Sequence, residues 1–175
     1  MIRALAAAAI VLVAGCAQAP LSPPQGELEF HVLGRIAARY AGDGFTGNVD
    51  WRHARNGDDM LIGTPLGQGV ARIVREGEAV QITTANGREY RAPDAETLTE
   101  QALGFRLPLE GMADWVRGQA TAGARTVSTS PDGTIRVLEQ NGWRIEYLSY
   151  EGGRPKLMQM QYPGVQLRFV VTEWK

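Results

Sequence analysis

The sequence predicts a mainly β chain, an antiparallel meander of eight or more strands long enough to curl into a barrel, with two short helices set into it. Three observations carry this reading. Apolar residues recur at every second position along most of the chain, turn-forming pairs such as Asn-Gly and Asp-Gly separate these runs at short intervals, and one stretch near the middle changes to helical spacing. The length of 175 residues suits one domain with a real core, and a composition of 44% hydrophobic and 21% charged residues is that of a globular protein. A net charge of −1 and the lack of any basic run of four residues exclude nucleic acid as the main partner.

The elements follow in order. Arg3 supplies a positive start, and Ala4 to Ala14 is apolar but too short to cross a bilayer, so residues 1–15 read as a secretory signal peptide. Val13-Ala14-Gly15-Cys16 resembles the lipobox of bacterial lipoproteins, which implies that Cys16, the only cysteine, becomes the lipid-modified first residue of the mature chain. With its thiol lipidated the chain has no disulfide, and the fold must stand on its core. Ala17 follows where some lipoproteins carry an inner-membrane retention Asp, which implies an outer-membrane address. Residues 16–27 form a tether with Pro20, Pro23 and Pro24, extended enough to reach roughly 25–30 Å. Removal of Arg3 leaves 17 basic against 19 acidic side chains, so attraction of the whole chain to anionic lipid is expected to contribute little, with acyl chains doing the anchoring.

Residues 28–175 form the predicted β domain. Phe30, Val32, Gly34, Ile36, Ala38 and Tyr40 share one parity, and Glu29, His31, Arg35 and Arg39 the other, as in a long strand with one wet face. The same alternation recurs at Val49, Trp51 and His53, at Val80 and Ile82, at Ile135 and Val137, at Trp143, Ile145 and Tyr147, at Met158 and Met160, and from Val165 to Val171. Asp94, after Pro93, is placed to cap a helix running through Leu98 and Ala102 to Gly104; a second, after Leu107-Pro108, presents Leu109, Met112 and Val116 on one side and stops at Gly118. Two short helices in such a chain need an apolar surface to cover, and the open side of a curled sheet provides one.

One turn is chemically odd. Thr64-Pro65-Leu66-Gly67 lies between the apolar runs Met60–Gly63 and Val70–Val74, and proline in second place suits a type I turn. Leu66 stands where such a turn usually shows Asn, Asp or Ser to water. Either something covers it or it enters an apolar phase.

Catalytic chemistry has no visible carrier. The sequence holds no Gly-x-Ser-x-Gly elbow, phosphate loop, His-Glu-x-x-His or paired-cysteine pattern, so no enzyme activity, catalytic residue, metal or cofactor is expected. His31 and His53 read as solvated strand residues, and Asp58-Asp59 and Asp114 as turn and helix-surface charges.

Three motifs then carry a resemblance. Thr64-Pro65-Leu66-Gly67 after an apolar strand, Leu107-Pro108-Leu109 followed by Trp115-Val116-x-Gly118, and Asn141-Gly142-Trp143-x-Ile145-x-Tyr147 occur in the order seen in the LolB family of outer-membrane lipoprotein receptors. The resemblance runs from about Phe30 to Trp174. It implies an unclosed antiparallel β-barrel enclosing an apolar cavity, with the helices covering it. It also implies a function: accepting lipid-modified proteins from the periplasmic carrier LolA, holding their acyl chains, and inserting them into the inner leaflet of the outer membrane. The protein would be a monomer, lipid-anchored and facing the periplasm. Leu66 matches the family's membrane-inserting position, in agreement with the turn chemistry. Soft, unspecific side chains suit flexible acyl chains, and Ile36, Trp51, Met60, Trp143, Met158, Met160 and Leu167 are the candidates for the cavity wall. The family's usual helix before the first strand has no room here, because prolines occupy the segment after Cys16. Two other readings compete: a structural outer-membrane lipoprotein, which would have a filled core, and an enzyme acting on lipid or cell wall, which would cluster titratable groups in a cleft.

Overall fold

A computed structural model describes residues 21–175 apart from residues 93, 104, 105 and 108. The signal peptide, Cys16, the first part of the tether, and Pro93, Gly104 and Pro108 lie outside the described residues.

Eleven strands form one antiparallel sheet. The first half of the chain contributes β1 (Phe30–Tyr40), β2 (Asp43–Ala54), β3 (Gly57–Gly63), β4 (Gly69–Glu76), β5 (Ala79–Thr84) and β6 (Glu89–Ala92). Helices α1 (Ala95–Leu103) and α2 (Leu109–Arg117) follow, and the second half contributes β7 (Arg125–Thr129), β8 (Ile135–Gln140), β9 (Trp143–Glu151), β10 (Arg154–Tyr162) and β11 (Val165–Trp174). Each half is a meander, and β1 pairs antiparallel with β11 to join them. The spatial order runs from β6 through β1 and β11 to β7, and β6 is not paired with β7. The sheet is therefore unclosed, and both free edges come from mid-chain, where the two helices connect them.

Alternation decides the faces. The even residues of β1 share the concave side with the buried Trp51, Met60, Ile73, Ile82, Ile145, Met158, Met160, Leu167 and Phe169. Period 2 thus identified the long strands correctly. It did not reveal β6 or β7. β6 has four residues, and β7 is exposed at every position, so neither carries an inside–outside pattern to read.

Local chemistry sets the helix ends. The Asp94 carboxylate accepts from the Thr97 backbone N–H at 2.7 Å and the Thr97 hydroxyl at 2.9 Å, satisfying an otherwise orphaned donor of the first turn. At the end of α2, Gly118 takes φ +72°, its N–H donating to Trp115 O and that of Gln119 to Asp114 O, both at 2.9 Å. Between these ends, Leu98, Leu107, Leu109, Met112, Trp115 and Val116 are buried in one cluster with the concave face. Trp115 is fixed twice: its Nε1 donates to Gln140 at 2.8 Å, and the Tyr147 hydroxyl donates to its carbonyl at 2.9 Å.

A buried polar row corrects the sequence reading of His53 and Asp58. Strand register places His53 opposite Asp58, and Asp58 opposite Arg75, all facing inward. Asp58 is 1% exposed, not in a turn. Its Oδ1 accepts from Trp51 Nε1 and meets His53 Nδ1, both at 2.7 Å, while Oδ2 accepts from Arg75 Nε at 2.5 Å. Burial alone would push the Asp58 carboxyl up, but the hydrogen bonds and charges offered by His53 and Arg75 outweigh it and hold the group below its ordinary value. Phe30 stacks on His53 with centroids 4.8 Å apart, and Arg117 at the end of α2 lies over Phe30 and donates to Glu29 at 2.7 Å. The row therefore also ties α2 to the start of β1. His31 is likewise engaged, 2.8 Å from Asp50. Asp59 is 9% exposed and accepts two bonds from Arg72, the closer at 2.8 Å. Asp114 pairs with Arg117 on α2.

Two outcomes follow from this packing. Gly34→Ala would place a Cβ 2.6 Å from the Phe169 ring and 2.8 Å from Val170 O, and is expected to cost about 1–3 kcal/mol, read as a lower denaturant midpoint. Asp58→Ala leaves the Arg75 guanidinium buried without its carboxylate and is expected to cost about 3–5 kcal/mol. Because the Asp58 pKa is lowered by folding, its contribution is complete above the unfolded value near 3.8 and is lost as pH falls through the folded value. Thermal midpoints measured across that acid range should fall less steeply for Asp58→Asn than for the parent chain.

Candidate functional site

The turn between β3 and β4 is tightly built. Gly67 N–H donates to Thr64 O at 2.9 Å, Thr64 N–H to Gln68 O at 2.8 Å, and Gln68 N–H to the Thr64 hydroxyl at 3.2 Å. Gly67 takes φ +87° while Leu66 does not enter the left-handed region, as expected of a type I turn followed by a left-handed residue. The Asn48 side-chain amide holds the turn from β2, donating to Thr64 O at 3.3 Å. On this frame Leu66 is 93% exposed, whereas Leu61, the next most exposed large apolar side chain among the described residues, is at 49%. The hairpin thus presents a leucine to solvent on a backbone with little freedom to withdraw it.

The seven wall candidates all lie on or beside the concave face. Trp51, Met60, Trp143, Met158, Met160 and Leu167 are buried in the core cluster, and Ile36 is half-buried against it. Space in front of them is taken up by the helices; Trp115 of α2, for example, lies with its ring centroid 6.0 Å from that of Trp143. None of the five principal clefts is lined by any of the seven.

The largest of these clefts, about 690 Å³, opens where the helices meet the sheet. Val80 and Leu109 contribute apolar surface, and Arg75, Glu78, Asp94 and Asp114 make its rim polar. One edge of this opening is therefore the end of the buried polar row. Sequence reading missed that role because parity gives the face of His53, Asp58 and Arg75 but not their partners across strands; the available signal was three polar residues on the parity of apolar neighbours. Among the described residues, no group of three or more His, Cys, Asp or Glu could hold a metal ion.

Along the segment before β1, residues 21–29 contain no helix. Leu21 N–H donates to Gln81 at 3.3 Å and Ser22 N–H to Glu76 at 3.4 Å, so this stretch lies against β4 and β5.

Comparison with known proteins adds to this geometry. A family model described as "Outer membrane lipoprotein LolB" matches residues 28–174. The outer-membrane lipoprotein LolB of Chromobacterium violaceum is 35% identical over 182 residues, covering 99% of this chain and 98% of its own. That of Thiobacillus denitrificans is 34% identical over 170 residues, covering 92% and 90%. Among solved structures, a LolA superfamily protein from Nitrosomonas europaea aligns over 83% of this chain and 84% of its own, with a TM-score of 0.49 and 10% identity, a likeness too remote to carry an argument. With the family match spanning the whole β domain and relatives aligned along nearly the entire chain, this protein belongs to the LolB family of outer-membrane lipoproteins.

Proposed function

We propose that this chain is anchored by a lipid-modified Cys16 in the outer membrane, faces the periplasm, accepts lipid-modified proteins from the carrier LolA, and passes them to the inner leaflet. The observation that carries this reading is Leu66, a 93% exposed leucine at the tip of a rigid hairpin. Burial of such a side chain in hydrocarbon is worth about 1.5–3 kcal/mol, and none of the described residues covers it. The membrane does. The cargo obeys the same physics: each acyl CH₂ in water costs about 0.8 kcal/mol, so the chains must pass from one apolar enclosure to another. Such a transfer makes and breaks no covalent bond, in keeping with a non-enzymatic role.

In this reading the acyl chains lie along Ile36, Trp51, Met60, Trp143, Met158, Met160 and Leu167, and the apolar sides of α1 and α2 give way to admit them. The methionines support it, since an unbranched thioether adapts to a flexible guest. The helices support it too, being connected to the sheet edges rather than paired into them. The filled interior favours one competing reading, a structural lipoprotein whose core never opens. Transfer of a labelled lipoprotein from the carrier to this protein separates the two.

Leu66→Glu is expected to keep the fold and the acceptance of cargo while abolishing delivery into liposomes; delivery at the parent rate would overturn the role given to Leu66. A chain lacking Cys16 is expected to accept cargo from the carrier as the anchored protein does, because the residue serves only as an anchor. Loss of acceptance by that chain when folded would contradict a cavity-based mechanism.

A further inference from the structure

Sheet parity sends the odd residues of β1 outward, together with Gln166, Arg168 and Val170 of β11. Register places Arg168 opposite Ala37, between Arg35 and Arg39 on the neighbouring strand. The Cβ atoms of Arg35 and Arg39 are thus each about 7–8 Å from that of Arg168. All three arginines are exposed, and none has a carboxylate partner among the described residues. The residues directly opposite on this face are uncharged, Thr46 and Asn48 across from β1 and Gln159 across from Arg168, with Gln161 and Gln166 beside it; carboxylates stand one step further along, Asp50 and Glu173, both opposite Leu33. Of these, Asp50 is engaged by His31 at 2.8 Å, and Glu173 lies towards the opposite end of the sheet from Arg39; Glu146, across β10, is engaged by Arg144 at 3.0 Å. Asp43, at the strand end, is the one carboxylate lining the cleft beside Arg39.

This patch lies towards the same end of the sheet as Leu66. Arg35 pairs with Asn48, and Asn48 with Gly63, the last residue of β3 before the turn; Arg39 lies further along in the same direction. Between β3 and β1 there are two strand spacings, about 10 Å. A cleft of about 430 Å³ bridges that interval, lined by Leu61 and Gly67 on the side of the turn, Asn48 and Asp50 of β2, and Leu33 and Arg35 of β1. A second, of about 610 Å³, is lined by Arg39, Tyr40, Gln161 and Tyr162, and tyrosine with arginine is the pairing favoured at a membrane–water boundary.

We propose that Arg35, Arg39 and Arg168 form an electrostatic membrane contact that binds the headgroups of anionic phospholipids while Leu66 enters the hydrocarbon beside them. Three unneutralised cations on one face attract anions locally even though the mature chain carries a net negative charge, because at physiological salt charges more than about 8 Å away are largely screened. The bilayer is the occupant that fits both chemistries, an apolar phase for Leu66 and phosphate for the arginines. The patch would also fix how the receptor stands on the membrane, which a single lipid anchor does not do. The proposal rests on the function proposed above only in taking the Leu66 end as the one that meets the bilayer.

The test uses the chain from Ala17 onward, without its anchor. Every buried apolar core residue lies between Phe30 and Val171, so this form keeps the whole core. Co-sedimentation is measured with vesicles of phosphatidylcholine alone and of phosphatidylcholine with phosphatidylglycerol. Preferential binding to the anionic vesicles is expected, with the preference falling about fivefold for each arginine replaced in the series Arg35→Gln, Arg39→Gln and Arg168→Gln, and disappearing at about 1 M salt. Arg136→Gln, an equal change of charge at an exposed position on β8, is the control and should leave the preference close to that of the parent. An undiminished preference in the triple variant, no preference in the parent chain, or an equal loss in Arg136→Gln overturns the proposal; an acidic protein as the true occupant would give the first or second result. No cargo is present in this measurement, so failure of the patch leaves transfer untouched, and failure of transfer leaves the patch standing.

Discussion

Pairing of β1 with β11 is the contact on which the architecture depends. It joins the first and last strands of the domain in the middle of the sheet, and so pushes both free edges to β6 and β7, which are separated in sequence only by the helical segment. A curled sheet whose inner face carries Trp51, Ile145, Met158 and Phe169 cannot leave that face wet, since each such side chain is worth about 1.5–3 kcal/mol when buried. Among the described residues, α1 and α2 are the elements that cover it. Because a helix laid over a sheet makes no ladder hydrogen bonds with it, the covering is held by side chains: Trp115 to Gln140 and Tyr147, and Arg117 to Glu29.

Polarity is sorted by the same alternation, with one deliberate exception. His53, Asp58 and Arg75 interrupt the apolar inner face, and they do so in adjacent strands at one level, where each satisfies the next. An isolated charge in that position would be very costly, whereas the row commits both oxygens of Asp58 to donors. Its location at one end of the concave face, linked through Phe30 to the last turn of α2, makes it a tie between cover and sheet. On the outer face, Arg35, Arg39 and Arg168 have no ion-pair partner among the described residues, while arginines elsewhere, such as Arg72 and Arg144, are paired.

A receptor with the function proposed above faces a conflict between holding apolar matter and staying out of apolar phases. Here the conflict is divided spatially. Apolar surface on the concave side is covered, and among the described residues the most exposed large apolar side chain is a single leucine on a rigid tip. The hydrogen bonds that fix Thr64, Gly67 and Gln68 make its presentation independent of what surrounds it.

Much of this was legible in the residues alone. Alternation from Phe30 to Tyr40, the Asp94 cap, the glycine stop at Gly118 and the oddity of Leu66 in its turn are local effects, set by a few neighbouring residues and their intrinsic geometry, and so they appear in the linear order. The lipobox motif likewise needs no fold to be read. What the sequence could not determine is whatever depends on which strands become neighbours. Parity set His53 beside Val49 and Trp51, yet without Asp58 and Arg75 as visible companions a histidine there read as solvated, and an edge strand such as β7, exposed on both faces, left no pattern to find. Period 2 also says nothing about whether the space before a face is empty or filled, and only the tertiary structure put the helices there. Net charge, a sum over the chain, hid the cluster of Arg35, Arg39 and Arg168, because charges act over a few ångströms of space and only the pairing of β1 with β11 brings these three together.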